Sequence, residues 1–327
     1  MSRPSAQAIA SGLGCPQGAD PASCFDLKRL RRSGLVRSVV YEPVLPSTNN
    51  RALELAETTT ELPLLVLTGH QTAGRGRGSH RWWSAPGALT FSLVVDPDAF
   101  DLPACLWPQV ALTAALSVLE FVSRVVPGSP VGLRWPNDVH LGGKKICGTL
   151  VEPVVIQGLR VKGEGSGARI GKADSKRVRG AQRGATSTKR KESALRIPNS
   201  AVIRSPTRLV IGVGVNLNNS LRNAPPEVQR TGTSLADRTG DRYDPTATLL
   251  GIMDALKQRL DWLAVGDSRL SEAWQKHCLL RGRIVTIDAG PNVVAGRCLG
   301  IDQRGALRIE TGNGVEALYG GAIRSAT

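Results

Sequence analysis

Apolar residues recur along the chain at two different spacings. Between 248 and 263, Leu249, Ile252, Met253, Leu256, Leu260 and Leu263 fall at helical spacing and predict one amphipathic helix, with a second at about 269–279. The longest apolar run, 109–126 (QVALTAALSVLEFVSRVV), is interrupted by Gln109, Glu120 and Arg124. It therefore reads as a buried amphipathic helix, since a bilayer span needs about 18 unbroken apolar residues. PLLVLTG (63–69) and LTFSLVV (89–95) are apolar runs of strand length, and RSVVYEPVL (37–45) is an extended segment. Ser47 and Thr48 carry a helix N-cap signal before a helix at 50–57, and 26–32 reads as a short basic helix. Near residue 280 the spacing changes. RIVTID, VVAGRCLGID, ALRIET and VEALY are short strands punctuated by AGPN, QRG and GNG. Strands at such short, regular intervals predict a small SH3-like barrel. Strands and helices alternate upstream without regular βαβ spacing, which predicts an α+β fold, a mixed sheet with helices on one side.

Composition refines this picture. A chain of 327 residues has room for about two domains. Hydrophobic residues make up 41% and charged residues 21%, values of a globular protein and not of a disordered one. The N-terminus has no continuous apolar segment, so a secretory signal is not expected. Cys15, Cys24, Cys105, Cys147, Cys278 and Cys298 contain no C-x-x-C pair, which excludes a zinc-ribbon spacing and fits reduced thiols in a cytoplasmic protein. The net charge of +15 invites a nucleic-acid reading, but segment 157–206 alone holds 13 Lys and Arg against 3 Asp and Glu. That segment is rich in Gly and Ser, lacks aromatic residues, and is expected to be a flexible insertion between two strands. The expected organisation is a disordered or short N-terminal extension (1–35), a catalytic domain (36–278) and the small C-terminal domain (279–327).

Three local motifs carry candidate chemistry. In 69–79 (GHQTAGRGRGS) Gly74, Gly76 and Gly78 alternate with Arg75 and Arg77, so free backbone N–H groups and guanidinium forks can form an anion cradle. No Gly-Lys-Ser/Thr follows, so it is not a Walker A loop. Trp82 and Trp83 offer either core packing or a stacking face. In Arg134-Trp135-Pro136-Asn137-Asp138 the Pro-Asn pair favours a turn; Asp138 either caps that turn or orients a base. Lys145, at the start of ICGTLVEPVV, can sit over a carboxylate or phosphate. Gly212-Val213-Gly214-Val215-Asn216 lacks the remainder of a dinucleotide fingerprint.

The order and spacing of Ser47-Thr48-Asn49, Gln71 through Arg77, Trp135 through Asp138, Lys145 with Gly148, and Gly212 through Asn216 resemble the biotin protein ligase family. The resemblance runs from about Arg37 to the C-terminus, interrupted by the basic insertion. It implies a catalytic domain like those of class II aminoacyl-tRNA synthetases. It also implies a two-step reaction, in which biotin and ATP form biotinyl-5′-AMP and a lysine of a biotin carboxyl carrier protein then takes the biotinyl group. The first step needs two anions brought together and charge stabilised, by Arg, Lys, backbone N–H groups and Mg²⁺, and no general base, because a carboxylate is already a nucleophile. By resemblance Ser47, Thr48, Asn49 and Gln71 line the biotin head-group pocket. Arg75, Gly76 and Arg77 close over biotin and the phosphates, and Lys145 contacts the carboxylate or adenylate phosphate. Trp82 stacks near adenine, and Asp138 and Asn216 lie on the nucleotide side. Arg77 and Lys145 are the expected catalytic residues; metal ligands are not assigned. Ser79-His80 departs from the Gly-Arg with which family members often continue the loop.

The resemblance further implies the carrier protein of acetyl-CoA carboxylase or another biotin-dependent carboxylase as partner, and leaves a homodimer by edge-to-edge sheet pairing open. Only 46 residues precede Ser47, and a winged helix-turn-helix is not expected there, so specific DNA binding is not expected; with no apolar stretch of spanning length, membrane association is not expected either. Lipoate or octanoate ligation on the same fold, a nucleic-acid-binding module and a catalytically inert biotin sensor are the alternatives.

Overall fold

The computed structural model describes residues 24–156 and 207–327; the segments expected to be a disordered N-terminus and a flexible basic insertion lie, at 1–23 and 157–206, outside the described residues. The first element, α1 (Leu27–Arg32), is capped by Asp26, whose carboxylate accepts from the Arg29 N–H at 2.9 Å. Phe25 and Leu30 are buried, and the Phe25 ring meets Tyr41 edge-on at 6.0 Å. Residues 24–35, expected to belong to an extension, therefore pack as part of the main body.

The body is a seven-stranded sheet. Its strands are β1 (Ser38–Leu45), β2 (Leu64–Gln71), β3 (Leu89–Val95), β4 (Val131–Arg134), β5 (Asp138–Leu141), β6 (Lys144–Val155) and β7 (Thr207–Val215). They lie in the order β1-β2-β3-β7-β6-β5-β4, with β1 and β2 parallel and every other pair antiparallel. The mixed sheet expected from the sequence is present. Helix α2 (Thr48–Ala56) begins two residues before the expected start, because the Ser47 hydroxyl accepts from the Asn50 N–H and Thr48 and Asn49 form the first turn.

The strand alternation sorts residues onto two faces. Leu65, Leu67, Leu89, Phe91, Leu93, Leu209, Ile211, Val213 and Val215 face the large core with α3 (Trp107–Val125) and α6 (Pro245–Ala264). Residues Ala104–Val125 would suffice in length and hydropathy to cross a membrane, but here α3 is core: Val110, Leu112, Leu116, Leu119 and Val122 are all buried. Glu120 of α3 pairs with the buried guanidinium of Arg259 on α6. The opposite face is covered at one end by α2, where Ala52 and Ala56 pack on Leu64, Val66, Val94 and Val210. The long helices thus lie on one side, as expected, and α2 is the exception.

Two short helices, α4 (Pro226–Thr231) and α5 (Leu235–Thr239), follow β7, and α7 (Ser268–His277) follows α6. The C-terminal unit is a five-stranded antiparallel sheet of β8 (Ile284–Ala289), β9 (Asn292–Ile301), β10 (Leu307–Thr311), β11 (Gly314–Leu318) and β12 (Ala322–Ala326), ordered β11-β10-β9-β8-β12. The sequence pattern revealed the first four strands. It missed β12, a short AIRSA segment without buried alternation. The two units are joined where the buried Trp135 indole N–H donates to the Gly305 carbonyl at 3.0 Å and the Leu279 N–H donates to the Leu133 carbonyl at 2.9 Å.

Gly251 lies inside α6, and a Cβ built there meets nothing within 4 Å. Gly251→Ala is therefore expected to stabilise the protein by about 0.5–1 kcal/mol, read as an increased urea midpoint with unchanged slope.

Candidate active site

Beyond α2, the same face of the sheet loses most of its apolar side chains. The register places Thr68, Thr90, Gly214, Gly148 and Asp138 in one row across five strands, and Ser92, Gly212 and Leu150 in the next. Hydroxyls and glycines thus replace the Leu and Val of the α2 end. A cavity of about 570 Å³ opens above this floor.

The glycines are there because other side chains occupy the space a Cβ would need. A Cβ on Gly212 would stand 1.9 Å from the Asn49 amide oxygen, and one on Gly214 2.6 Å from the Trp82 ring. A Cβ on Gly148 would crowd the Lys145 ammonium at 3.2 Å. The Gly-Val-Gly-Val stretch of β7 therefore serves two faces at once: Val213 and Val215 fill the core, while Gly212 and Gly214 admit Asn49 and Trp82.

A buried polar network lines the α2 end of the cavity. Gln71 Oε1 accepts from the Thr48 N–H at 2.7 Å and its hydroxyl at 3.2 Å. The Ser92 hydroxyl lies 2.9 Å from the Thr48 hydroxyl and 2.7 Å from Asn49 Oδ1. Asn49 Nδ2 in turn donates to Glu152 Oε2 at 2.9 Å. These partners fix the rotamers of Thr48, Asn49 and Gln71.

The glycine- and arginine-rich loop folds back on itself. Arg75 pairs with Arg81 in an antiparallel bridge, Gly76 N–H donates to the His80 carbonyl at 2.9 Å, and Trp82 N–H donates to the Gly74 carbonyl at 3.0 Å. Gly74 admits no Cβ, because the Trp82 carbonyl would lie 2.5 Å from it, and Gly78 takes φ +61° at the turn. Arg75 turns away from the cavity centre. Its guanidinium binds both Glu152 oxygens, at 2.6 and 3.2 Å, and Asn50 Oδ1 at 2.9 Å. Arg77 points the other way and donates to the Gly321 carbonyl, just before β12. Burial pushes its pKa down while the Asp138 carboxylate pulls it up, and a guanidinium in that range stays charged.

Lys145 is held by Asp138, Nζ to Oδ1 at 2.7 Å, and lies 5.8 Å from the Trp82 ring centre. His140 lines the same wall. Its Nδ1 is 3.2 Å from the Gly143 carbonyl, and burial lowers its pKa, which keeps the ring neutral at pH 7. Among the described residues neither His140 nor any other histidine is hydrogen-bonded to a Ser or Cys, and no three metal-ligating side chains gather. The arrangement is suited to binding and stabilising anions, not to nucleophile–base chemistry.

Ser47, Thr48, Asn49, Gln71, Arg75, Gly76, Arg77, Trp82, Asp138, Lys145 and Asn216 all line this one cavity. Three have partners that redefine what they do in this state. Arg75 is tied to Glu152. Asp138 is the counter-ion of Lys145, not a turn cap. Asn216 is committed to local structure: Nδ2 donates to the Thr233 carbonyl at 3.1 Å and Oδ1 accepts from Asn219 at 3.1 Å. Sequence reasoning missed Ser92, Glu152 and the Gly321–Ile323 backbone. A signal existed only for Glu152, the one charge in an otherwise apolar stretch of β6.

The polar network makes a stability prediction opposite in sign to that for Gly251. Gly212→Ala forces Asn49 off Ser92 and Glu152 and is expected to cost about 2 kcal/mol or more in urea unfolding.

Comparison with known proteins gives this geometry its context. Residues 41–161 match the model of the "Biotin/lipoate A/B protein ligase family", and residues 281–323 match the "Biotin protein ligase C terminal domain". The chain is 27% identical over 296 residues to the bifunctional ligase/repressor BirA of Bacillus subtilis, covering 90% of this chain and 76% of that one. Over a shorter span of 119 residues it is 39% identical to the biotin–[acetyl-CoA-carboxylase] ligase of Mycobacterium tuberculosis, covering 35% of this chain and 44% of the relative. The fold is that of the biotin protein ligase from Aquifex aeolicus solved with biotin and ATP, with a TM-score of 0.63 at 23% identity over 89% of this chain and 99% of that one. Both units of the fold and the succession of cavity motifs thus meet in a single assignment: the chain belongs to the biotin protein ligase family.

Proposed function

We propose that the protein joins biotin to ATP and passes the activated biotin to a lysine of a carrier domain, with Arg77 and Lys145 as the charge-stabilising groups. The observation that carries this reading is the convergence of these two cations over a glycine floor in one cavity. In the first step a biotin carboxylate oxygen attacks the α-phosphorus of ATP, the bond to the bridging oxygen breaks, and pyrophosphate leaves. In the second, a carrier lysine amine attacks the acyl carbon, AMP leaves, and the amine loses its proton. The nucleophile of the first step is already an anion, so the protein's task is to hold two anions together and neutralise the charge that develops.

Ser47, Thr48, Asn49 and Gln71 suit the ureido head group, since they present fixed donors and acceptors at a closed end of the cavity. Trp82, packed against Gly214, suits stacking against adenine. Gly76 joins Arg77 over the phosphates. Asp138 acts through Lys145, and Asn216 by holding the 233–235 backbone that closes the nucleotide side. Mg²⁺ comes as the counter-ion of ATP. The cavity's carboxylates, Asp138 and Glu227, are too few for a dedicated cage, and Mg²⁺ is commonly held by one or two carboxylates, phosphates and water.

The carrier subunit of acetyl-CoA carboxylase is the acceptor this reading favours, in the cytoplasm. Self-association through a sheet edge is compatible with it, β1 and β4 being the outer strands. Operator binding is not part of this reading. A gel shift with biotin and ATP present checks this, and a specific shift would overturn it.

The deciding experiment is pyrophosphate release from ATP with biotin, lipoate and octanoate as parallel substrates. Release with biotin alone is expected; release with lipoate or octanoate would keep the fold and overturn the substrate. Arg77→Ala is expected to cost about 2–4 kcal/mol in adenylate formation, because it removes a desolvated cation aimed at developing charge. The same variant should leak biotinyl-5′-AMP, seen by chromatography of the filtrate. Unchanged adenylation and retention would remove Arg77 from its role.

A further inference from the structure

We infer that Glu152 is a positioning residue that clamps the glycine- and arginine-rich loop to the head-group pocket through Arg75 and so sets the affinity for biotin. The inference rests on the biotin reading for its substrate, but the clamp itself stands on geometry alone.

Glu152 breaks the pattern of its surroundings. It lies in one row of the sheet with Leu64, Val94 and Val210, all buried and apolar. A half-buried carboxylate at such a position is retained only if it is paired and hydrogen-bonded. Its Oε1 takes the Arg75 Nη2 at 2.6 Å; its Oε2 takes Nη1 at 3.2 Å and the Asn49 amide at 2.9 Å. The two-pronged contact is the strong form of an arginine–carboxylate pair. Glu152 therefore joins two segments distant in sequence: the start of α2, which lines the pocket, and the loop that arches over it.

The pair also divides the labour of the two arginines. Arg75 is neutralised by Glu152 and braced by Asn50, so it acts as the hinge post of the loop. Arg77, two residues on, donates to a backbone carbonyl and keeps its charge for a ligand. With Arg75 fixed, the Arg75–Arg81 bridge is fixed, and Gly76 and Arg77 are held over the cavity before any ligand arrives. Loss of the clamp would leave biotin to order the loop at the expense of its own binding.

The substitution that separates clamp from pocket is Glu152→Gln, which keeps an oxygen for Asn49 and removes the charge that binds Arg75. In pyrophosphate release from ATP it is expected to raise KM for biotin about tenfold or more while kcat changes less than about threefold. Arg75→Ala should do the same, and the double variant should be no worse than Arg75→Ala alone. A biotin KM within twofold of the parent, or losses that multiply in the double variant, would overturn the inference.

A second readout needs no substrate. In brief trypsin digestion followed by mass spectrometry, Glu152→Gln is expected to speed cleavage after Arg75 about fivefold or more, with cleavage after Arg304 in the remote 302–305 turn unchanged. Equal acceleration at both bonds, or none at Arg75, would reduce Glu152 to a general stability residue and overturn the clamp. A parent enzyme that releases no pyrophosphate with biotin would overturn the proposed function, and the digestion would still decide the clamp.

Discussion

The site depends on a stretch of sheet that carries no side chains. At Gly212, Gly214 and Gly148 the sheet presents bare backbone, and Asn49, Trp82 and Lys145 descend onto it from three different segments. A sheet face must be covered by something, and here the cover is the functional group itself. Restoring a single Cβ would not merely crowd the cavity; it would lift a side chain whose remaining contacts are aligned by being low. The Asn49 amide reaches both Ser92 and Glu152 because Gly212 lets it lie against β7. Function and stability are therefore coupled at these positions, in contrast to Gly251 in α6, whose missing Cβ faces open space.

On this floor the cations are arranged by what they have already been given. Arg75 has a bidentate carboxylate and Lys145 has Asp138, whereas Arg77 has a peptide carbonyl from the C-terminal unit. A carbonyl dipole satisfies a donor without cancelling its charge, so Arg77 retains most of its field for an incoming anion. The same contact gives the C-terminal sheet a place in the site. Its fifth strand starts at the residue after Gly321, and Trp135 fixes the opposite end of that sheet to the RWPND turn. The small unit is thereby held at two points around the cavity rather than hanging from the chain's end.

How much of this could be read from the sequence follows from which physical signals are local. Long helices, buried strands and the capped start of α2 were legible because period and capping are properties of adjacent residues. The cavity motifs were legible as a set, through their order. The partners of those motifs were not. Ser92 is an ordinary alternate position of β3, and only the register with Gly212 brings it beneath Asn49. Glu152 is one acid in an apolar strand until Arg75, 77 residues away, is folded against it. Strand β12 escaped because neither of its faces is buried enough to impose alternation. Residues 24–35 read as an extension because one buried Leu in a basic hexapeptide leaves no periodicity to detect.

The basic insertion interrupts the chain between two neighbouring strands, and the sheet runs unbroken across them. Strands β6 and β7 pair continuously from Cys147 with Val215 to Val155 with Thr207, so segment 157–206 leaves and re-enters the sheet at adjacent points. A connection between neighbouring antiparallel strands imposes no distance on the rest of the fold, and its closure entropy grows only slowly with length. Its roots are also at the far end of the pair. Seven residues separate Gly148 from Val155 and five separate Gly212 from Thr207, which at the rise of a strand is roughly 17–23 Å from the glycine floor. The insertion therefore lengthens the chain between two strands whose pairing, and with it the register of the glycine floor, is complete without it.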